Sequence, residues 1–186
     1  MEDKGRIHPS KFTLWVAMGS IVMMFAGLTS AYIVKKSQSN WLEFSLPLVF
    51  WYSTAVILAS SLTIHLSQKA FKAREMSQYR NLLTITAILG VLFLLLQIMG
   101  FANLEARNIP LFGIKSNSAT SFLGVITILH MLHVIGGVIA ILVIFIRAFS
   151  SKIKNYNSLS IDMISTYWHF VDVLWIYLFI FFNLIR

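Results

Sequence analysis

Five apolar stretches, each long enough to cross a lipid bilayer, constrain this 186-residue chain more than any other feature. A spanning helix needs roughly 20 mostly apolar residues. The stretches cover approximately 12–34, 46–67, 82–102, 120–146 and 162–185. The polar connections at 35–45, 68–81, 103–119 and 147–161 are each too short for a soluble domain. A transmembrane barrel would instead show short alternating strands. The expected fold is therefore all-α: one integral membrane bundle of five transmembrane helices, a single domain over 1–186. Lys4, Arg6 and Lys11 precede the first stretch as they would a signal peptide, but its length and lack of a small-residue cleavage site favour a retained helix.

Composition closes the competing classes. Charged residues are 12% of the chain and hydrophobic ones 58%, with a mean hydropathy of +0.77. An ordinary soluble domain is about 25% charged, so a soluble globule of this composition would expose large apolar patches and aggregate. Disorder is excluded by the same apolar content. The absence of cysteine excludes a disulfide scaffold, an iron–sulfur protein and a thiolate zinc site.

The net charge of +8 acts as an orientation signal. Lys and Arg concentrate on the side of the N-terminus and the second and fourth connections (Lys4, Arg6, Lys11, Lys69, Lys72, Arg74, Arg80, Arg147, Lys152, Lys154). The opposite side carries Lys35, Lys36, Arg107, Lys115 and Arg186. Cytoplasmic loops hold the excess of basic residues, which puts the N-terminus in the cytoplasm and the C-terminus outside it. The charge is thus spent on topology and implies no nucleic-acid partner.

Polar groups within the spans are costly and each needs a reason. Gly27 with Ala31, and Gly136 with Ala140, form small-xxx-small pairs expected to let helices approach closely. Gln97 lies in the third span, His130 and His133 in the fourth, His169 and Asp172 in the fifth. At about 1.5 Å per residue, Gln97, His133 and Asp172 fall within about a turn of one another near mid-bilayer. Asp172 is the mid-span carboxylate, and an unpaired Asp there costs on the order of 3 kcal/mol. His133 is the expected partner, with Gln97 as a neutral addition.

His130 and His133, at i and i+3, share one helix face and cannot take opposite axial positions on one haem. His65 and His169 would allow a single inner-leaflet haem, but the four-histidine set of a two-haem cytochrome b is not met. There is no phosphate loop, nucleophile elbow or in-span carboxylate pair. A proton relay needs polar groups spread from face to face, whereas these gather at the centre. Buried polar residues that fix helix register are the favoured reading, and a five-helix cytochrome b electron carrier or a small transporter are the alternatives.

The string Tyr167-Trp168-His169-Phe170-Val171-Asp172-Val173-Leu174-Trp175 closely resembles the last-helix signature of subunit III of haem–copper oxidases. Phe122-Leu123-Gly124 followed by Leu129-His130-Met131-Leu132-His133-Val134-Ile135-Gly136-Gly137 is similar to the family's paired-histidine helix. The segment from Pro47 to Ser61, with Thr54, Leu58 and Ser60-Ser61, is similar to the second helix of the short, five-helix bacterial form. One departure is clear: the family's buried glutamate, three residues after the glutamine of the third helix, is Gly100 here, and Glu105 is no replacement.

The resemblance implies a non-catalytic subunit of a terminal oxidase in the bacterial inner membrane, with the N-terminus on the cytoplasmic face. It implies no cofactor or metal on this chain, haem and copper in partner subunits, and bound phospholipid. The implied partners are catalytic subunit I, subunits II and IV, and a larger assembly with a quinol-oxidising complex. Its support would extend to proton uptake and turnover stability. Gln97, His130, His133, His169, Asp172 and Trp175 are the structural, lipid or subunit-contact candidates. An accessory subunit of a quinol oxidase or of a nitric oxide reductase fits the same motifs.

Overall fold

The computed structural model describes residues 8–37, 41, 44–113, 116–149 and 158–185. Five helices account for most of them: α1 (Pro9–Lys36), α2 (Leu48–Lys72), α3 (Met76–Ala106), α4 (Ser118–Phe149) and α5 (Ser158–Leu184). Among the described residues there is no strand, and all five helices are long and apolar enough to cross a membrane. Of the basic residues behind the orientation argument, Lys4, Arg6, Lys115, Lys152, Lys154 and Arg186 lie outside the described residues, as does the side chain of Arg147.

The helices run beyond the apolar stretches because a bilayer limits hydropathy, not backbone hydrogen bonding. The effect is largest at the second connection. The polar stretch 68–81 is mostly helical, and only Ala73, Arg74 and Glu75 separate α2 from α3. The chain reverses there with Arg74 at φ 60°, a left-handed conformation that few non-glycine residues adopt. Glu75 N–H donates to the Ala70 carbonyl at 3.0 Å and closes the turn. At the start of α1, His8 Nδ1 accepts from Ser10 N–H at 3.3 Å, with Pro9 in the first turn, where its missing N–H costs nothing. Asn117 Oδ1 accepts from Ala119 N–H at 2.9 Å and opens α4 in the same way.

The hairpin of α2 and α3 is the most extensive pairing. α5 packs against α2, α4 and α1; α3 packs against α4; and α1 reaches only α4 and α5. α2 faces its neighbours through two interleaved seven-residue series, Phe50, Ile57, Ile64 and Ser53, Ser60, Ser67, all buried. A seven-residue repeat keeps one stripe of a helix against its partner, and serine lets the backbones close in while supplying hydroxyls.

The small-residue pairs do not mark the closest approaches. A Cβ built on Gly27 meets nothing within 4 Å, and one on Gly136 only the Tyr167 hydroxyl at 3.9 Å. Tight glycines lie elsewhere, among them Gly90 and Gly137, where a Cβ would lie 2.8 Å and 2.9 Å from the Trp168 indole. A spacing of four along one helix reports smallness, while the partner's side chain decides where smallness is needed.

Candidate functional site

The buried polar chemistry is organised by α5, through two tryptophans seven residues apart. Trp168, 1% exposed, lies between Gly90 of α3 and Gly137 of α4. Its Nε1 donates to Ser60 Oγ of α2 at 2.8 Å. One side chain thereby joins four helices. Trp175, fully buried, donates from Nε1 to Thr54 Oγ1 at 3.0 Å. Its ring stacks on Phe50, with centroids 6.3 Å apart, and meets Phe93 edge-on at 5.1 Å. Without a hydrophobic drive between helices in lipid, such packing and interhelical hydrogen bonds are what hold a bundle.

His130, also fully buried, completes the aromatic frame. Its ring centroid is 5.1 Å from Trp175, 5.9 Å from Phe93 and 6.4 Å from Phe25. Neither ring nitrogen has a hydrogen-bond partner. Gln97, one turn beyond Phe93 on α3, donates from Nε2 to Ser53 Oγ at 2.9 Å, and its Oε1 is unpartnered.

Asp172 and His133 are not brought together. His133 Nδ1 lies 2.6 Å from the carbonyl of Leu129 in its own helix, and its ring packs on Phe25 at 5.7 Å. Its backbone carbonyl accepts from Tyr167 Oη at 3.0 Å. Asp172 is 2% exposed, and neither carboxylate oxygen makes a close hydrogen bond, the Ser61 hydroxyl of α2 being the polar group beside it. The expected pairing fails on azimuth: depth along a helix is readable from residue count, but the direction a side chain faces around the axis is set by packing. Gln97 likewise pairs with Ser53 and not with Asp172.

His169 does meet His65, with ring centroids 6.2 Å apart, and its Nδ1 lies 2.7 Å from Ser61 Oγ. Further toward that end of the α2–α5 seam, Gln68 Nε2 donates to Asp162 Oδ1 at 2.6 Å, and Lys72 Nζ is 3.5 Å from the same oxygen. Among the described residues no three His, Cys, Asp or Glu side chains form a group that could hold a metal.

Ser53, Thr54, Ser60 and Ser61 of α2 are the functional-looking residues that polarity alone passes over. Their signal was available, since serine recurs every seven residues in step with Phe50, Ile57 and Ile64.

Gly100 has an equally local explanation. A Cβ there would fall 2.8 Å from Phe50 Cε2, so the Phe50 ring occupies the space beside position 100. Phe50 is itself boxed by Trp175 and by Phe101 at 6.4 Å.

The sequence has recognisable relatives. The family model for cytochrome c oxidase subunit III matches residues 38–185, most of the chain and all of α2 to α5. The chain belongs to the cytochrome c oxidase subunit III family. It is 31% identical over 185 residues to a probable cytochrome c oxidase subunit 3 of Mycobacterium tuberculosis, covering 94% of this chain and 90% of that one. The cytochrome c oxidase subunit 3 of Thermostichus vulcanus is also 31% identical, over 95% and 89% of the two chains. The cytochrome bo(3) ubiquinol oxidase subunit 3 of Buchnera aphidicola is 31% identical, over 91% and 83%. As a subunit III family member with five apolar helices, the chain is a multi-pass membrane protein that associates with other oxidase subunits.

Proposed function

We propose that the chain is the non-catalytic subunit III of a cytochrome c oxidase-type terminal oxidase, packed on catalytic subunit I beside subunits II and IV. Its place is the bacterial inner membrane, N-terminus in the cytoplasm and C-terminus in the periplasm, as the bias of basic residues indicates. The observation that carries this reading is the family match over residues 38–185, whose last-helix signature provides the tryptophans at the centre of the bundle. Haem and copper belong to the partner subunits. In this chain Gln97, His130, His133, His169, Asp172 and Trp175 set helix register and rigidity, by which it supports proton uptake and stable turnover.

Bound phospholipid is part of the same reading. A groove of about 430 Å³ on the outside of α3 and α4, lined by side chains such as Ile88, Val91, Leu95, Val138, Leu142 and Phe145, offers an almost wholly apolar surface suited to an acyl chain. The Buchnera relative favours a second reading, in which the complex oxidises quinol instead of cytochrome c.

Affinity purification of the tagged chain from mildly solubilised membranes tests the proposal. A large haem- and copper-containing subunit is expected to copurify, with oxygen uptake driven by reduced cytochrome c; uptake driven by quinol alone selects the second reading. A haem absorption band that stays with the chain after every other subunit is stripped would overturn both.

A further inference from the structure

The core contains a set of polar atoms that the protein's own groups leave unanswered at one place. Thr127 Oγ1, Gln97 Oε1 and both ring nitrogens of His130 are buried without a hydrogen-bond partner, on residues at most 1% exposed. Thr127 is unusual in this. Thr29, Thr54, Thr84 and Thr86 each donate to the carbonyl four residues back, the ordinary resting bond of a helical threonine. Thr127 leaves that bond unmade.

Helix register puts the three side chains at one height in the core. The Phe93 and His130 rings are in contact, which fixes the relative height of α3 and α4. Gln97 is four residues along α3 from Phe93. Thr127 is three residues back along the antiparallel α4 from His130. At about 1.5 Å per residue both stand 4 to 6 Å beyond the Phe93–His130 contact in the same direction. All three are buried, and the His130 ring lies among Phe93, Trp175 and Phe25.

A buried donor or acceptor left without a partner costs about 1–3 kcal/mol. Several at one height in one core describe a site for a small hydrogen-bonding molecule and not a chance defect. From these positions we infer that the seam between α3 and α4 binds ordered water, held by Gln97, Thr127 and His130. Water suits the chemistry of the set. It donates to Gln97 Oε1 and to the unprotonated nitrogen of His130, and it accepts from the Thr127 hydroxyl. The amide and the hydroxyl carry no net charge, which disfavours an ion. Buried waters ordinarily make about three such bonds. The site is separate from the His65–His169–Ser61 seam, which lies between α2 and α5.

The test is a density map of the protein purified from its membrane with the subunits it carries, at a resolution that shows waters elsewhere in the bundle. A peak is expected within hydrogen-bond reach of Gln97 Oε1, Thr127 Oγ1 and one nitrogen of His130. Thr127→Val, close in shape but without the hydroxyl, should lose or displace that peak, and Thr127→Ser should keep it. No peak, or Gln97 and Thr127 bonded directly to each other, would overturn the inference. So would a peak unmoved in Thr127→Val. If a variant fails to assemble, the unmutated map decides alone.

Discussion

α5 and α1 are both apolar helices of nearly equal length, yet they relate to the bundle in opposite ways. Half of an 18-residue apolar stretch of α5 is buried within the chain, against 17% of one in α1. α5 touches α1, α2 and α4 along its length, and its tryptophans are seated on glycines and serines of other helices. α1 is secured by Phe25 against the α4 histidines, by the Tyr32 cluster with Phe122, Phe181 and Phe182, and by a 3.0 Å hydrogen bond between Thr29 Oγ1 and Tyr177 Oη. Hydropathy does not distinguish the two roles, because lipid and neighbouring helix are equally apolar surroundings. Steric fit distinguishes them: bulky rings with matching glycines build α5 in, and glycines facing open space leave α1 at the edge.

Mutations at matched positions can break that contrast. Trp168→Ala is expected to have the largest effect, a loss of about 3–5 kcal/mol typical of a large aromatic truncated in a packed core. It removes the contact shared by four helices and strands the Ser60 hydroxyl, and thermal unfolding in detergent would read it as a strongly lowered Tm. Gly137→Leu should cost about 1–3 kcal/mol by overpacking the indole, whereas Gly27→Leu should leave the unfolding temperature of the isolated chain nearly unchanged. Equal effects at the two glycines would abolish the distinction between α5 and α1. Thr29→Val should be smallest. Interhelical hydrogen bonds in membranes average about 0.6 kcal/mol, so a modestly earlier release of α1, followed by protease accessibility near residue 37, is the expected outcome.

The sequence showed the helices clearly because the hydrocarbon layer sets a length that composition must meet. It showed their ends poorly, since residues 68–81 are polar but helical, a combination hydropathy reads as a connection. Of the candidate residues, Trp175 and His130 lie side by side in the core. The partner assigned to Asp172 was wrong because two residues at one depth can face opposite ways around their helices. The seat of Trp168 was out of reach for another reason: Gly90, Gly137 and Ser60 are far apart in the chain and acquire meaning only through the ring they surround. The α2 serines were within reach as a repeat of seven; Thr54 and Ser60-Ser61 entered only through the family resemblance, without that spacing.

The Phe50 ring beside Gly100 ties the evolutionary fates of two positions. A glutamate installed at 100 would start with its Cβ 2.8 Å from a ring flanked by Trp175 and Phe101. An acidic side chain at 100 therefore requires the Phe50 ring to shift or residue 50 to be smaller. A smaller residue at 50 with glycine kept at 100 would leave a hole where the ring had been, so the two positions are coupled through volume.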